Sequence, residues 1–428
     1  MLATMPPTDR MRPSWRVIGL LLLATVVVRV GVVTYRYRQL ERDPDAYRQI
    51  AENLVEHDVY SRAPRSAPAR PTAFRPPLYP LLLAVVSRNG HVTLESTTVL
   101  HVALGIATVL LTLFTAIRWG LGRGAWIAAM CVACDPILLN QSTQIMTETL
   151  AAFLAVGVLW TLTWRAPDKF WGNALLAGLV LGVAALCRPP FLVWAALIAA
   201  VLIWRGRGFG WRGPGRALAL VAGVAIALAP WTARNWYAFG RPVPATTHGG
   251  YTLLLGNNRF FYEHLRTQPW GKVWDARELQ TWLAQQATMP RANQVGRRTE
   301  IEEDRHLYGL AWQAIRRAPS AFGYACAVRL ARLWSPLPHR LHESESESRR
   351  LVRYGIAIWY LLVYGLALSA AVRHIRTMSA PPWIWGLLLV LAFSIVHTIY
   401  WSNLRMRAPL MPFVYLVAAW RVRSRASQ

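Results

Sequence analysis

Two aspartates separated by one residue, Asp43 and Asp45, stand just beyond the first long apolar run of the chain (17–34), in Asp43-Pro-Asp-Ala-Tyr47. Further on comes Arg75-Pro-Pro-Leu-Tyr79, which opens a second, shorter apolar piece. A carboxylate held at a membrane boundary can take a proton from a hydroxyl or hold a metal. An arginine one loop away can grip a phosphate, because its guanidinium pairs bidentately with phosphate oxygens. The chemistry these residues point to is that of a phosphate-bearing lipid at the membrane surface.

The elements that must hold them are read from composition. Of 428 residues, 54% are hydrophobic and 16% charged, and about ten long apolar runs follow one another. A run of ~20 residues spans the hydrocarbon core of a bilayer. The chain is therefore expected to be an all-α polytopic membrane protein of about ten transmembrane helices, over 17–34, 96–117, 124–140, 146–164, 173–187, 190–204, 216–231, 353–372, 383–400 and 408–420. The first run has no small-residue cleavage site after it and reads as a retained helix. The piece 77–87 is too short to cross and begins at a Pro pair, which suits a helix lying on the surface after the first outer loop. The net charge of +26 comes almost wholly from arginine, the lysines being Lys169 and Lys272. These arginines flank apolar helices, where they face anionic headgroups; membrane lipids, not nucleic acid, are the expected partners.

Arginines before the first run (Arg10, Arg12, Arg16) fall on one side of a ten-span layout together with Arg118, Arg123, Arg165, Lys169, Arg205, Arg207, Arg373, Arg376, Arg421, Arg423 and Arg425. The rule that positive loops stay inside gives cytoplasmic termini. The sequence thus divides into an N-terminal transmembrane module (1–231) with a first outer loop (35–95), an outer-face segment (232–352) large enough for a small domain, and C-terminal transmembrane helices (353–428). The outer segment opens with turn chemistry at Pro230 to Trp236 and at Gly256-Asn-Asn258. Its later part, 305–334, carries apolar residues at helical spacing with arginines between them, as interfacial helices do. His342 to Arg350 reads as a solvated linker.

Single residues follow. Asp45 fits the N-cap of a helix over 46–54, which leaves Asp43 the freer carboxylate. Arg29, near the outer end of the first span, is expected to snorkel outward. Glu148 begins a helix behind Thr147, where an acidic first turn suits the helix dipole, and it shares the outer face with Asp43. Arg188 reads as a boundary anchor, and His397 as a packed histidine. Cys131 and Cys134 lie in an apolar helix with no second pair to complete a zinc site. His248, in a Gly loop, and Arg234-Asn235, at the end of a span, are candidate headgroup or acceptor contacts.

Taken together, D-x-x-x-Y-x-x-(I/L)-A-x-x-L at Asp43, R-P-P-L-Y at Arg75, an outer helix start at Glu148, P-W-x-x-R-N, G-N-N and R-x-R-x-P-x-x-P at Arg405 resemble the GT-C superfamily of polyprenyl-phosphate-sugar glycosyltransferases. The resemblance covers about 17–420 and is nearest to the branch of protein O-mannosyltransferases, aminoarabinose transferases of lipid A and RgtA/B/C/D-like enzymes. It implies a GT-C-like fold, with Asp43, Asp45 and Glu148 as catalytic carboxylates and Arg75, Arg405 and Arg407 on the donor phosphate. Tyr47, Tyr79, Arg234, Asn235 and His248 would then be substrate contacts. Pro44 stands where many relatives carry an acidic residue after the catalytic aspartate, so the role of Asp45, and of a divalent cation such as Mg or Mn, stays open.

The implied function is that of a multi-pass enzyme of a bacterial inner membrane, with its site on the periplasmic face. It would pass one sugar from a polyprenyl-phosphate lipid to a hydroxyl of a glycan, lipid or protein by inverting displacement, Asp43 being the general base. An O-antigen polymerase or ligase would need catalytic Arg and His in a late outer loop. A lipid or sugar transporter would need polar residues at mid-membrane on several helices, and here they cluster at one face.

Overall fold

The computed structural model describes residues 14–163, 170–206, 212–288, 298–340 and 345–422. Of the residues used to orient the chain, Arg10, Arg12, Arg165, Lys169, Arg207, Arg423 and Arg425 lie outside them, as do His342 to Ser344 of the linker. Helices make up the described residues, with no strand among them. In order they are α1 (Trp15–Tyr35), α2 (Tyr47–His57), α3 (Leu78–Val85), α4 (Leu94–Arg118), α5 (Gly124–Cys134), α6 (Pro136–Gln141), α7 (Glu148–Thr161), α8 (Phe170–Cys187), α9 (Pro190–Gly206) and α10 (Arg212–Phe239). Beyond these come α11 (Gly249–Gly256), α12 (Arg259–Thr267), α13 (Arg277–Thr288), α14 (Glu300–Arg317), α15 (Pro319–Trp334), α16 (Glu347–Arg373), α17 (Ile375–Met378), α18 (Trp383–Ile399) and α19 (Met411–Trp420), with a 3₁₀ turn over Leu404–Leu410 before the last.

Each expected span contains a helix. By length and composition, four helices among the described residues could cross a membrane: Trp15–Tyr35, Leu94–Arg118, Gly213–Phe239 and Glu347–Arg373. Apolar side chains stay exposed along three of them: Leu20, Leu23 and Val27 on α1, Leu218 and Val221 on α10, Ile358, Leu361 and Leu362 on α16. Such faces suit lipid tails. The remaining apolar helices pack with them into one core that runs from Ile18 to Trp420. Helices α8 and α10 approach closest: a Cβ at Gly178 would lie 2.1 Å from the Leu220 carbonyl oxygen, and one at Gly223 2.3 Å from that of Leu175. Small residues let apolar helices meet where no hydrophobic drive exists in lipid.

Several boundaries depart from the sequence reading. The expected span 124–140 is broken at Asp135, whose side chain caps α6 by accepting from Leu138 N at 2.6 Å, with Pro136 behind it. Asp135 is fully buried and also accepts from the hydroxyls of Tyr360 (3.0 Å) and Tyr415. This ties α5 and α6 to α16 and α19. Arg29 does not snorkel. Its side chain is 1% exposed and lies against Gly105 of α4, within electrostatic reach of Asp135, which draws it inward. Helix α10 continues through Pro230 to Phe239, so the expected turn at 230–236 is helical and ends only at Gly240 (φ +67°). The described part of the linker is not a free solvated segment: α16 starts at Glu347, capped by Ser346, and Glu345 pairs with Arg353 at 2.9 Å.

Segment 240–340 builds a second, smaller core around Leu253, Phe261, Trp274, Leu307 and Ala325. Asn258 caps α12 at Phe261 N (2.8 Å), so the Gly-Asn-Asn stretch is a turn between helices. Arg329, expected on an interfacial face, is fully buried. It donates to the carbonyls of Gly256 and Thr398, the latter at 2.7 Å, and so binds α15 to the end of α18.

Candidate active site

Helix α2 presents the two aspartates, and the turn ahead of it decides their roles. Ala46 adopts φ +61°, and this left-handed turn swings Asp43 over the start of the helix. Its two carboxylate oxygens accept from Tyr47 N at 2.8 Å and Gln49 N at 3.0 Å. Asp43, not Asp45, is thus the capping residue, which inverts the sequence expectation. Partial burial raises the Asp43 carboxyl above the ordinary aspartate range, with the backbone N–H groups of Gln49, Arg48 and Tyr47 pulling the other way.

Asp45 is left for the arginines. Its Oδ1 lies 2.7 Å from Arg75 Nη2, and its backbone carbonyl accepts from Arg75 Nε at 3.0 Å. Oδ2 is 3.8 Å from Arg405 Nη2. Arg405 Nε in turn lies 3.5 Å from Glu148 Oε1, and Arg188 Nη1 is 2.9 Å from the same oxygen. Arg75, Asp45, Arg405, Glu148 and Arg188 therefore form one continuous chain of alternating charge. It joins the first loop, the start of α7, the α8–α9 turn and the 3₁₀ turn before α19. Glu148 is 2% exposed; Thr147 makes no capping bond, so the buried glutamate is held by the arginines rather than by the dipole role alone.

Unlike Arg75, the guanidiniums of Arg188 and Arg405 are poorly satisfied. Beyond its carboxylate contacts at 3.5 and 3.8 Å, Arg405 donates only to the Met146 sulfur at 3.1 Å, and Arg188 Nη2 to that of Met406 at 2.7 Å. Thioether sulfur is a weak acceptor. Arg405 Nε and Glu148 Oε2 are buried without a hydrogen-bond partner. A group with several strong acceptor oxygens would satisfy what the protein leaves open.

Other expected residues fall into three groups. Tyr47 is buried beneath Arg75, whose guanidinium lies 5.4 Å from its ring, and it meets Tyr79 edge-on at 5.3 Å. Tyr79 is fully buried and its hydroxyl is shared with His101 Nε2 at 2.8 Å, which pins α3 to α4 and turns it away from the arginines. His248 stacks beside Phe74 (4.2 Å) and Tyr251 (5.3 Å), and burial, with Arg75 and Arg62 nearby, holds its imidazole uncharged, well below the usual value. Arg234 and Asn235, expected on substrate, are spent on the backbone. Arg234 donates to Thr72 O (2.9 Å) and Tyr60 O (3.3 Å), and Asn235 to Val243 O (2.8 Å). They prop the loop that carries Arg75.

Arg407 is not part of the charge chain. It is 1% exposed, lies 4.2 Å from the Tyr360 ring centre and donates to Leu333 O at 3.2 Å and to Ser335 O. Two residues apart on a 3₁₀ turn, at three residues per turn, Arg405 and Arg407 cannot share a face. Sequence reasoning passed over Arg188 as an anchor, and over Glu300. The Glu300 carboxylate accepts from Thr72 Oγ1 (2.6 Å), Ala73 N (2.7 Å) and the Thr247 hydroxyl, locking α14 onto the first loop.

A divalent cation does not fit these residues. Asp43 is turned onto backbone N–H groups, Asp45 and Glu148 face guanidiniums, and among the described residues no three His, Cys, Asp or Glu side chains gather at metal-binding spacing.

No family model matches the chain, and no curated protein does. Among solved structures it is similar to the Archaeoglobus fulgidus oligosaccharyltransferase tethered with an acceptor peptide containing the NVT sequon, at 13% identity and a TM-score of 0.49, over 96% of this chain and 49% of that one. The same oligosaccharyltransferase in its apo form matches at 12% and 0.46, over 95% and 51%. ArnT from Cupriavidus metallidurans in the apo state matches at 14% and 0.35, over 95% and 78%. The chain spans about half the length of the oligosaccharyltransferase it matches.

Proposed function

We propose that the protein is an integral membrane glycosyltransferase that moves one sugar from a polyprenyl-phosphate carrier to an acceptor hydroxyl on the non-cytoplasmic side. The observation that carries this reading is the charge chain from Arg75 to Arg188, in which the Arg405 guanidinium hydrogen-bonds only a thioether sulfur while standing 3.5 and 3.8 Å from two carboxylates. Among those five residues, three guanidiniums face two carboxylates, leaving one positive charge over for an anionic headgroup. The first loop (35–95), the segment 232–352 and the C-terminal helices would act together as the donor chamber.

Arg75 and Arg405 hold the phosphate and stabilise its charge as it leaves. The acceptor oxygen bonds to the anomeric carbon from the opposite side while the carbon–oxygen bond to phosphate breaks, and the electron pair leaves with the phosphate. The acceptor's proton passes to Asp43, whose orientation the first turn of α2 fixes and whose basicity partial burial raises. Asp45 and Glu148 keep the arginines apart and aimed. Transfer assays on membranes containing the full chain, against a panel of polyprenyl-phosphate sugars, test the reading. Inverted product from at least one lipid-linked donor is expected, and none from any would contradict it.

A further inference from the structure

His397 lies near the end of α18, 5% exposed, and the mechanism above makes no use of it. Its Nδ1 is 3.2 Å from the Trp401 carbonyl oxygen, which can only accept, so Nδ1 carries the proton. In the neutral ring Nε2 is then an acceptor, and it is buried without a partner. His397 stands within electrostatic reach of Arg188, Glu148 and Arg405, which brings its ring into the surroundings of the charge chain. Glu148 Oε2, in that chain, is likewise buried without a partner.

The end of α18 is held firmly. Asn257 Nδ2 donates to Ile399 O at 2.8 Å, Arg329 Nε to Thr398 O at 2.7 Å, and Trp401 N to Thr252 O at 3.3 Å. His397 therefore cannot turn easily to find a partner of its own. Buried acceptors without donors are a standing cost, and natural structures keep few of them.

We infer that Glu148 Oε2 and His397 Nε2 form the hydroxyl-reading wall of the donor-sugar subsite, accepting hydrogen bonds from hydroxyls of a neutral sugar whose phosphate lies on Arg405. This rests on the function proposed above and names its substrate class. With the headgroup phosphate bound, the three guanidiniums and two carboxylates of the charge chain are balanced, so no anionic charge is left over for a cationic sugar to neutralise. Once phosphate has taken the guanidinium donors, the acceptors left over call for uncharged O–H groups. His397 is a specificity residue in this account, not a proton carrier.

The test uses the full chain in vesicles with the lipid-linked neutral hexose that wild type transfers, and with each monodeoxy form of that sugar. One monodeoxy donor should lose roughly 10- to 100-fold in kcat/KM with wild type, the cost of leaving a buried acceptor without its donor. His397→Phe should lose a similar factor on the intact sugar, with none on that deoxy donor, and His397→Gln should recover part. Equal use by wild type of every monodeoxy donor overturns the inference, the unpartnered atoms then holding only water. So does a His397→Phe loss that is the same for all donors. Absence of transfer from any lipid-linked sugar overturns the proposed function as well, and no other outcome above touches it.

Discussion

Asp43 and Asp45 are one residue apart and do different work. Spacing alone made Asp45 the cap; the positive φ of Ala46, which no composition rule signals, reversed the two. Arg405 and Arg407 show the same limit. A paired motif is visible in the sequence, but only the 3₁₀ geometry sends one side chain to the carboxylates and the other to carbonyls of the α15 end. The two arginines should therefore separate in assay. Arg405→Ala is expected to raise the donor KM or cut kcat/KM by about 10²-fold, in the range for a lost charge-stabilising donor. Arg407→Ala should instead lower the unfolding temperature, through a lost buried packing and hydrogen-bond partner, and leave the donor KM of the folded fraction unchanged. Equal effects on donor KM would contradict the assignment. Arg188 was legible only as a boundary residue, because its partner Glu148 lies on another helix.

At the scale of elements, most helices were legible, since runs of apolar residues with Pro or Thr at their starts leave few alternatives. The misses have local causes. Asp135 breaks an apolar run because two tyrosine hydroxyls and a helix N-terminus satisfy it inside the bundle. Helix α10 outlasts Pro230 because a proline removes only one backbone donor and packing carries the helix on. The Glu300 latch was illegible, as its partners on the first loop, Thr72 and Ala73, lie more than two hundred residues earlier. Glu300→Ala should release the loop that ends in Arg75 and lower kcat/KM for the donor by roughly tenfold, equal to about 1.4 kcal/mol. Helix α14 should persist, because the Thr299–Glu302 capping box is separate. Unaltered donor kinetics in that variant would mean the latch does not position Arg75.

At the scale of the whole molecule, the sequence read as a helical membrane protein because nothing else accommodates so many apolar runs. The structure answers with helices whose exposed faces are apolar and with a cluster of paired charges, Arg75, Asp45, Arg405, Glu148 and Arg188, drawn from helix ends and loops. The first loop, which carries Arg75, is tied to the segment 240–340 through Glu300 and the Thr247 backbone N–H, and to α10 through Arg234. The account stands on a carboxylate that takes a proton beside those arginines. Asparagine is also a good helix cap, so Asp43→Asn removes the base while its amide oxygen keeps one of the two backbone bonds at the start of α2. The direct measurement is sugar transfer by purified Asp43→Asn and wild type, with unfolding temperatures taken alongside. The prediction is a folded variant with at most a small drop in unfolding temperature, from one lost backbone bond, and a rate lower by about 10²–10⁴-fold, with wild-type activity failing in acid at a pH above the ordinary aspartate range as the raised carboxyl protonates. A folded Asp43→Asn protein that transfers sugar at the wild-type rate would contradict it.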